Sequence, residues 1–181
     1  MGQEESFVYD DAGRRILYTD FNGDQRSYQY ETMGTDILTT ITYADQSQDF
    51  ITQDVLGHRI SVLDELGEAR YDYDDLNRLI EEVKPTGERL IYGYDDNGNQ
   101  LTKTEAHQTT FYSYSKRNKV VSVESANGVV SFAYDFDGHR ISKTAQGQTT
   151  RYLVDRNQSY AQVIAELTEN CEQDAGSIKT K

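Results

Sequence analysis

Apolar and polar residues alternate through most of this chain, and the alternation breaks at regular intervals around glycine. Residues 92–101 read YGYDDNGNQL and residues 132–141 read FAYDFDGHRI. Each is an aromatic, a spacer, Tyr-Asp, a glycine turn, two polar residues and an aliphatic. Aligned on the tyrosine of the pair, the chain has anchors at Tyr9, Tyr30, Gln53, Tyr73, Tyr94, Tyr114, Tyr134 and Val154. Two positions before them stand Phe7, Tyr28, Ile51, Tyr71, Tyr92, Tyr112, Phe132 and Tyr152. Seven positions after the first seven stand Ile16, Ile37, Ile60, Ile80, Leu101, Val121 and Ile141, all aliphatic. Alternation of period two predicts strands, and a fixed spacing of about twenty residues predicts a repeat architecture.

Turn chemistry accounts for the spacing. Gly13, Gly34, Gly57, Gly98 and Gly138 all fall four residues after an anchor. Asn97-Gly98 and Asp137-Gly138 predict two-residue type I′ hairpin loops. That register sets Tyr94 opposite Leu101 and Tyr134 opposite Ile141, as cross-strand pairs on one face. A second turn register holds Gly23, Gly67, Gly87, Gly128 and Gly147, with His107 in that place once and an insertion between Gly34 and Gln53. Pro85 sits beside such a turn, where its missing N–H does least harm. The reading is an all-β chain: an antiparallel meander of hairpins in a curved or spiralling single-layer sheet, with fourteen to sixteen short strands and almost no helix. Residues 7–166 form the repeat domain, with 159–166 as its last strand. Residues 1–6 and the polar tail 167–181 are predicted to be disordered.

Composition narrows the class. Only 36% of the residues are hydrophobic, yet there are 14 tyrosines and 6 phenylalanines, which is too aromatic for a disordered chain and too polar for a thick core. The net charge of −13 argues against nucleic-acid binding, because phosphate backbones are met with Lys and Arg. No apolar run is long enough to predict membrane insertion, and the first residues, MGQEESFVYD, do not form a signal peptide. Cys171 is the sole cysteine, so no internal disulfide is possible.

The copies YDDAGRRI (9–16), YDDLNRLI (73–80), YDDNGNQL (94–101) and YDFDGHRI (134–141) resemble the YD repeat of RHS proteins. That family includes bacterial polymorphic toxins, the C component of insecticidal toxin complexes, and teneurin ectodomains. The resemblance covers about residues 7–166, and RYLVDRNQSYAQVIAEL (151–167) resembles the stretch leading into the C-terminal core of RHS toxins. It implies a strand ribbon that spirals into a hollow shell enclosing or presenting a C-terminal effector. The remainder of that shell and the effector are then the expected partners, in a secreted or cell-surface protein. Some members carry a downstream core with paired aspartates that cut the effector free; it is expected beyond residue 170 and its motif is not among these residues.

Candidate chemistry is sparse. Asp10, Asp54, Asp74, Asp95, Asp135 and Asp155 follow anchors and could be imagined as catalytic pairs, but sixfold recurrence points to turn caps instead. His58 and His139 stand where other repeats have Arg14, Arg78 and Lys119, so they read as turn cations. Three histidines and one cysteine give no zinc spacing, and no nucleophile elbow appears. Asp20–Asp24 and Asp95–Asn99 gather oxygen donors but do not fit a calcium-binding loop. No enzyme, metal or cofactor is therefore expected. The alternative is a binding module whose Tyr-rich face, or an open strand edge, takes surface glycans or a protein. Open edges also predict edge-to-edge self-association.

Overall fold

The computed structural model describes residues 4–155 and 162–170. Among them there is no helix, and the sixteen strands lie in a sheet whose order is the chain order. The chain divides into two compact units, Met1–Leu90 and Ile91–Lys181.

The first unit contains β1 (Ser6–Tyr9), β2 (Arg15–Thr19), β3 (Gln25–Met33), β4 (Asp36–Thr42), β5 (Gln48–Gln53), β6 (Arg59–Asp64), β7 (Gly67–Tyr73) and β8 (Leu79–Val83). Antiparallel pairing runs from each strand to the next. One face carries the row Tyr30, Thr39, Ile51, Val62 and Ala69, matched partner to partner across β3 to β7. Thr39 and Thr40 are buried, and Leu90 is the only hydrophobic residue among the described ones that is. Strand β9 (Arg89–Tyr94) begins in this unit.

The second unit contains β10 (Gln100–Glu105), β11 (Gln108–Tyr114), β12 (Val120–Ser125), β13 (Gly128–Tyr134), β14 (Arg140–Ala145), β15 (Gln148–Asp155) and β16 (Gln162–Asn170). It repeats the antiparallel meander. Its two faces differ in chemistry. Tyr112, Val123, Val130 and Ala145 form one cross-strand row, while Ser113, Ser122, Ser131, Thr144 and Thr149 form a row of hydroxyls on the other. The hydroxyls of Thr144 and Thr149 bond at 2.9 Å, as do those of Thr104 and Thr109. With so little buried apolar area, stability has to come from the backbone ladder and from cross-strand pairs.

The Tyr-Asp turns correct the expected loop. Asp135 N–H donates to the carbonyl of His139 at 3.0 Å, and Gly138 N–H donates back to the carbonyl of Asp135 at 3.1 Å. The loop therefore has three residues, a type I turn closed by a glycine at φ +86°, rather than two. Asp10, Asp54, Asp74, Asp95 and Ser115 begin the same arrangement. Tyr134 consequently faces Arg140, not Ile141, and a bulge restores the expected register at Ala133 and Ser142. The same slip sets Tyr9 opposite Arg15, Tyr73 opposite Leu79 and Tyr114 opposite Val120. Repeat two departs further. Its turn is the two-residue Gly34-Thr35 loop, so Tyr30 lies inside β3 opposite Thr39. Ahead of β13 the turn is the two-residue Ala126-Asn127 loop, with Gly128 paired to Ser125.

The ends differ by a few residues from expectation. β1 opens at Ser6, and β16 runs to Asn170, so residues 167–170 belong to a strand rather than to a tail. Residues 1–3, 156–161 and 171–181, with Cys171 and most of the predicted tail, lie outside the described residues.

Candidate functional site

Five of the signature aspartates, Asp10, Asp54, Asp74, Asp95 and Asp135, fold their carboxylates into their own turns, and the residues that follow Asp155 lie outside the described ones. One oxygen of Asp10 accepts the N–H groups of Ala12 and Arg14, at 3.0 and 2.8 Å. Its other oxygen accepts Nε of Arg14 at 2.8 Å. Asp74 does the same with Leu76 and Arg78, and Asp54 with Leu56 and His58, whose Nδ1 lies 2.8 Å from the second oxygen. Asp95 holds Asn97 N–H, Asn99 N–H and the Asn99 amide. Hydrogen bonds from the turn backbone, Arg14 and Arg78 first, hold the carboxyls of Asp10 and Asp74 below the usual carboxylate range. Partial desolvation pushes Asp54 up, but its bonds to His58 outweigh that and hold it down.

The cation that closes one turn also reaches the next repeat. The Arg14 guanidinium lies 4.5 Å from the centre of the Tyr30 ring. His58 stacks on Tyr73 at 4.8 Å between centroids. Those tyrosines then point their hydroxyls back across the sheet. Tyr30 donates to the carbonyl of Arg15 at 2.8 Å, and Tyr73 to that of Arg59 at 3.0 Å. Tyr114 and Tyr134 bond likewise to the carbonyls of Gln100 and Val120. Burial raises the phenols of Tyr30, Tyr73 and Tyr114. The anchor tyrosine is thus a brace tying each of these repeats to the one before it. The alternation pattern gives no sign of it, since it records only the face a side chain occupies and not that its hydroxyl reaches a backbone carbonyl at the start of the neighbouring strand.

The remaining signature residues sit at turns and bulges. Gly13, Gly34, Gly57, Gly98 and Gly138 all have positive φ. Ile16 and Leu101 are more than a third exposed, and Ile141 is half-buried. Of the two oxygen-rich loops, Asp20 accepts Asn22 and Asp24 N–H, as Asp95 does in its own loop. Asp135, Asp137 and His139 bring ligand-type atoms within 4.8 Å of one another. They are one more copy of the turn, in which Asp135 accepts the N–H groups of Asp137 and His139. His139 Nδ1 stands 3.4 Å from Asp135, slacker than its counterpart His58.

One concavity lies on the tyrosine-bearing face of the first unit. It has a volume of about 380 Å³ and is lined by residues that include Arg15, Tyr28, Tyr30, Thr39, Gln53 and Arg59. The two arginines are the second members of Arg14-Arg15 and His58-Arg59, each the strand residue just after a turn cation. That doublet was the available signal in the sequence, and the anchor alignment passed over it.

Comparison with known proteins bears on the fold and the family. Residues 55–160, more than half of the chain, match the family model described as Teneurin YD-shell. A stretch of 129 residues is 30% identical to the tRNA3(Ser)-specific nuclease WapA of Bacillus spizizenii, covering 69% of this chain and 5% of that protein. The crystal structure of TcdB2-TccC3-TEV superposes with a TM-score of 0.72 at 13% identity, over 94% of this chain and 10% of that one. The Photorhabdus luminescens Tc holotoxin pore superposes at 0.68 and 16% identity, over 88% of this chain and again 10% of the other. The chain therefore spans a tenth or less of the length of these relatives.

Proposed function

The chain belongs to the Teneurin YD-shell family, and from that premise we propose that it is a length of wall in a larger toxin-type shell, with no catalysis of its own. The observation that carries this reading is the coupling between repeats. Arg14 and His58 each close a turn and stack on a tyrosine of the next repeat, and that tyrosine bonds back to the strand after the turn. A unit built this way can be extended strand by strand, which suits a wall. The signature carboxylates are spent on turn N–H groups, so their recurrence serves geometry rather than chemistry. The repeat-signature residues, from Tyr9 and Asp10 to Asp135, Gly138 and Ile141, are accordingly assigned structural work.

In the longer protein the wall encloses or presents a C-terminal effector polypeptide, and the rest of the shell and the effector are its partners. Such a protein works outside the cell that makes it. The likeness to a nuclease extends over 5% of that protein, and the nuclease activity is not assigned to this segment. Limited proteolysis of a full-length protein containing the segment tests the reading. The C-terminal region should resist cleavage until the shell is unfolded with denaturant. Immediate cleavage of that region in the folded protein would overturn enclosure, and hydrolysis of tRNA by the 181-residue chain would overturn the non-enzymatic assignment.

A further inference from the structure

The concavity on the first unit is unusual for so acidic a chain. Elsewhere in this unit four arginines are matched with carboxylates, Arg14 with Asp10, Arg70 with Glu68, Arg78 with Asp74 and Arg89 with Glu81, while Arg26 lies between the rings of Tyr18 and Tyr43. Arg15 and Arg59 line the concavity with no carboxylate partner among the described residues, and no Asp or Glu is in its lining. Asp49 is near in register, opposite Ile41, but it accepts the hydroxyl of Tyr43 at 2.6 Å. Two uncompensated guanidiniums converging on one depression, in a protein of net charge −13, call for an anionic occupant.

The remaining lining narrows the class. Its polar side chains can all donate: two guanidiniums, the hydroxyls of Tyr28 and Thr39, and the amide of Gln53, which also bonds to the carbonyl of Gly57. Tyr28 and Tyr30 are not bare stacking platforms, because a guanidinium already lies 4.5 Å from each ring centre. A neutral sugar could use the hydroxyls and the Tyr9 ring, but it would leave both guanidinium charges unmatched. A carboxylate needs only donors, and the planar fork of arginine fits it in a bidentate manner. We propose that this concavity, framed by Arg15 and Arg59, is a docking site for acidic polypeptide, receiving Asp or Glu side chains. The same chemistry is abundant in this kind of chain, whose turns present exposed second aspartates such as Asp11, Asp75 and Asp96. The inference stands apart from the shell reading, since it concerns one place on one face.

Titration of the 181-residue chain with a blocked tetraglutamate peptide, followed by NMR, tests it. The amides of Thr39 and Gln53 should shift, binding should weaken as salt is raised, and a blocked tetraglutamine should leave them unmoved. Arg59→Gln should weaken binding at least tenfold, whereas Lys116→Gln, on an exposed turn of the other unit, should not. Arg15→Gln could also disturb Tyr28, so Arg59→Gln is the deciding variant, with its melting temperature checked alongside. Inorganic phosphate and glucuronate are the competing probes. Binding of either as tightly as the peptide would overturn the polypeptide assignment. Absence of peptide binding, or binding indifferent to Arg59→Gln, would overturn the site.

Discussion

The guanidinium of Arg14 lies 4.5 Å from the centre of the Tyr30 ring, one repeat downstream, while its own Nε donates to Asp10. Tyr30 in turn donates its hydroxyl to the carbonyl of Arg15, so turn, cation, ring and backbone form a closed clasp. His58 and Tyr73 build the same clasp from an imidazole. In a sheet with almost no buried apolar side chains, such clasps make neighbouring repeats cooperative.

Removing a brace hydroxyl should therefore be felt. Tyr134→Phe deletes the 2.8 Å bond to Val120 and leaves a part-buried carbonyl without that donor. The expected loss is about 0.5–1.5 kcal/mol, the usual net worth of one such bond. Tyr9→Phe is the control, because the Tyr9 side chain is 55% exposed and makes no hydrogen bond among the described residues. Urea denaturation should separate the two variants. Equal midpoints would mean that the brace contributes nothing.

The turn glycines make a sharper test of backbone conformation. Gly98 has φ +84° and nothing within 4 Å of where a Cβ would stand, so a substitution there meets strain but no clash. Gly98→Ala should cost about 1–2 kcal/mol, the left-handed penalty for an ordinary residue. Asn77 and Asn118 occupy the corresponding place in their own turns at φ 62° and 55°. Gly98→Asn should accordingly recover much of the loss, as seen in the order of melting temperatures.

Acid should loosen the turns. Asp10, Asp54 and Asp74 have folded pKa values held below the ordinary 3.8. Their contribution is present above the unfolded value and is lost as pH falls through the lower folded values. Thermal stability should thus fall from about pH 4 downward, and less steeply in Asp74→Asn, which keeps an oxygen for the turn but has no charge to titrate. Base acts on the other group. Tyr30, Tyr73 and Tyr114 are raised above 10.0, so their contribution is present below that value and disappears as pH rises through the folded values. Melting curves across pH 2–12 would show both limbs, and a flat acid limb would contradict the role of the turn carboxylates.

Much of this was legible in the residues. All ten glycines at the two turn registers have positive φ, while Gly93, inside a strand, does not. The hairpin register was also readable: Val8 opposite Leu17 and Ser113 opposite Ser122 follow from the anchor spacing. What misled was Asn-Gly itself. It suggests a two-residue loop, but the aspartate two residues earlier captures the turn N–H groups and favours a three-residue loop with a bulge beside it. The aliphatic then falls on the bulge and the tyrosine meets its neighbour. Braces and the Arg15–Arg59 concavity were illegible for another reason. A brace runs from a side-chain hydroxyl to a backbone carbonyl of the preceding strand, and the concavity gathers residues from β1 to β6, whereas strand-by-strand alternation records only which face a residue occupies.

The outermost strands of the chain bear on its behaviour in solution. In the described structure β1 pairs only with β2, and β16 only with β15, so each has an edge whose N–H and C=O groups lack a strand partner. Such edges recruit other strands. The net charge of −13 opposes this through mutual repulsion, which salt screens over a Debye length of about 8 Å at physiological ionic strength. Self-association of the 181-residue chain should therefore be weak in dilute buffer and should strengthen as salt is added. This trend is opposite to that of contacts made through Arg15 and Arg59, which salt weakens. Asp10 N–H donates to the Arg14 carbonyl, so period-two alternation turns the N–H of Phe7 on β1 away from β2, and Phe7→Pro removes that edge donor and stiffens the strand against pairing. It should reduce association at high salt, while Arg59→Gln should leave it unchanged. Sedimentation velocity from low to high salt would decide the matter: a monomer under every condition would mean that these edges are covered.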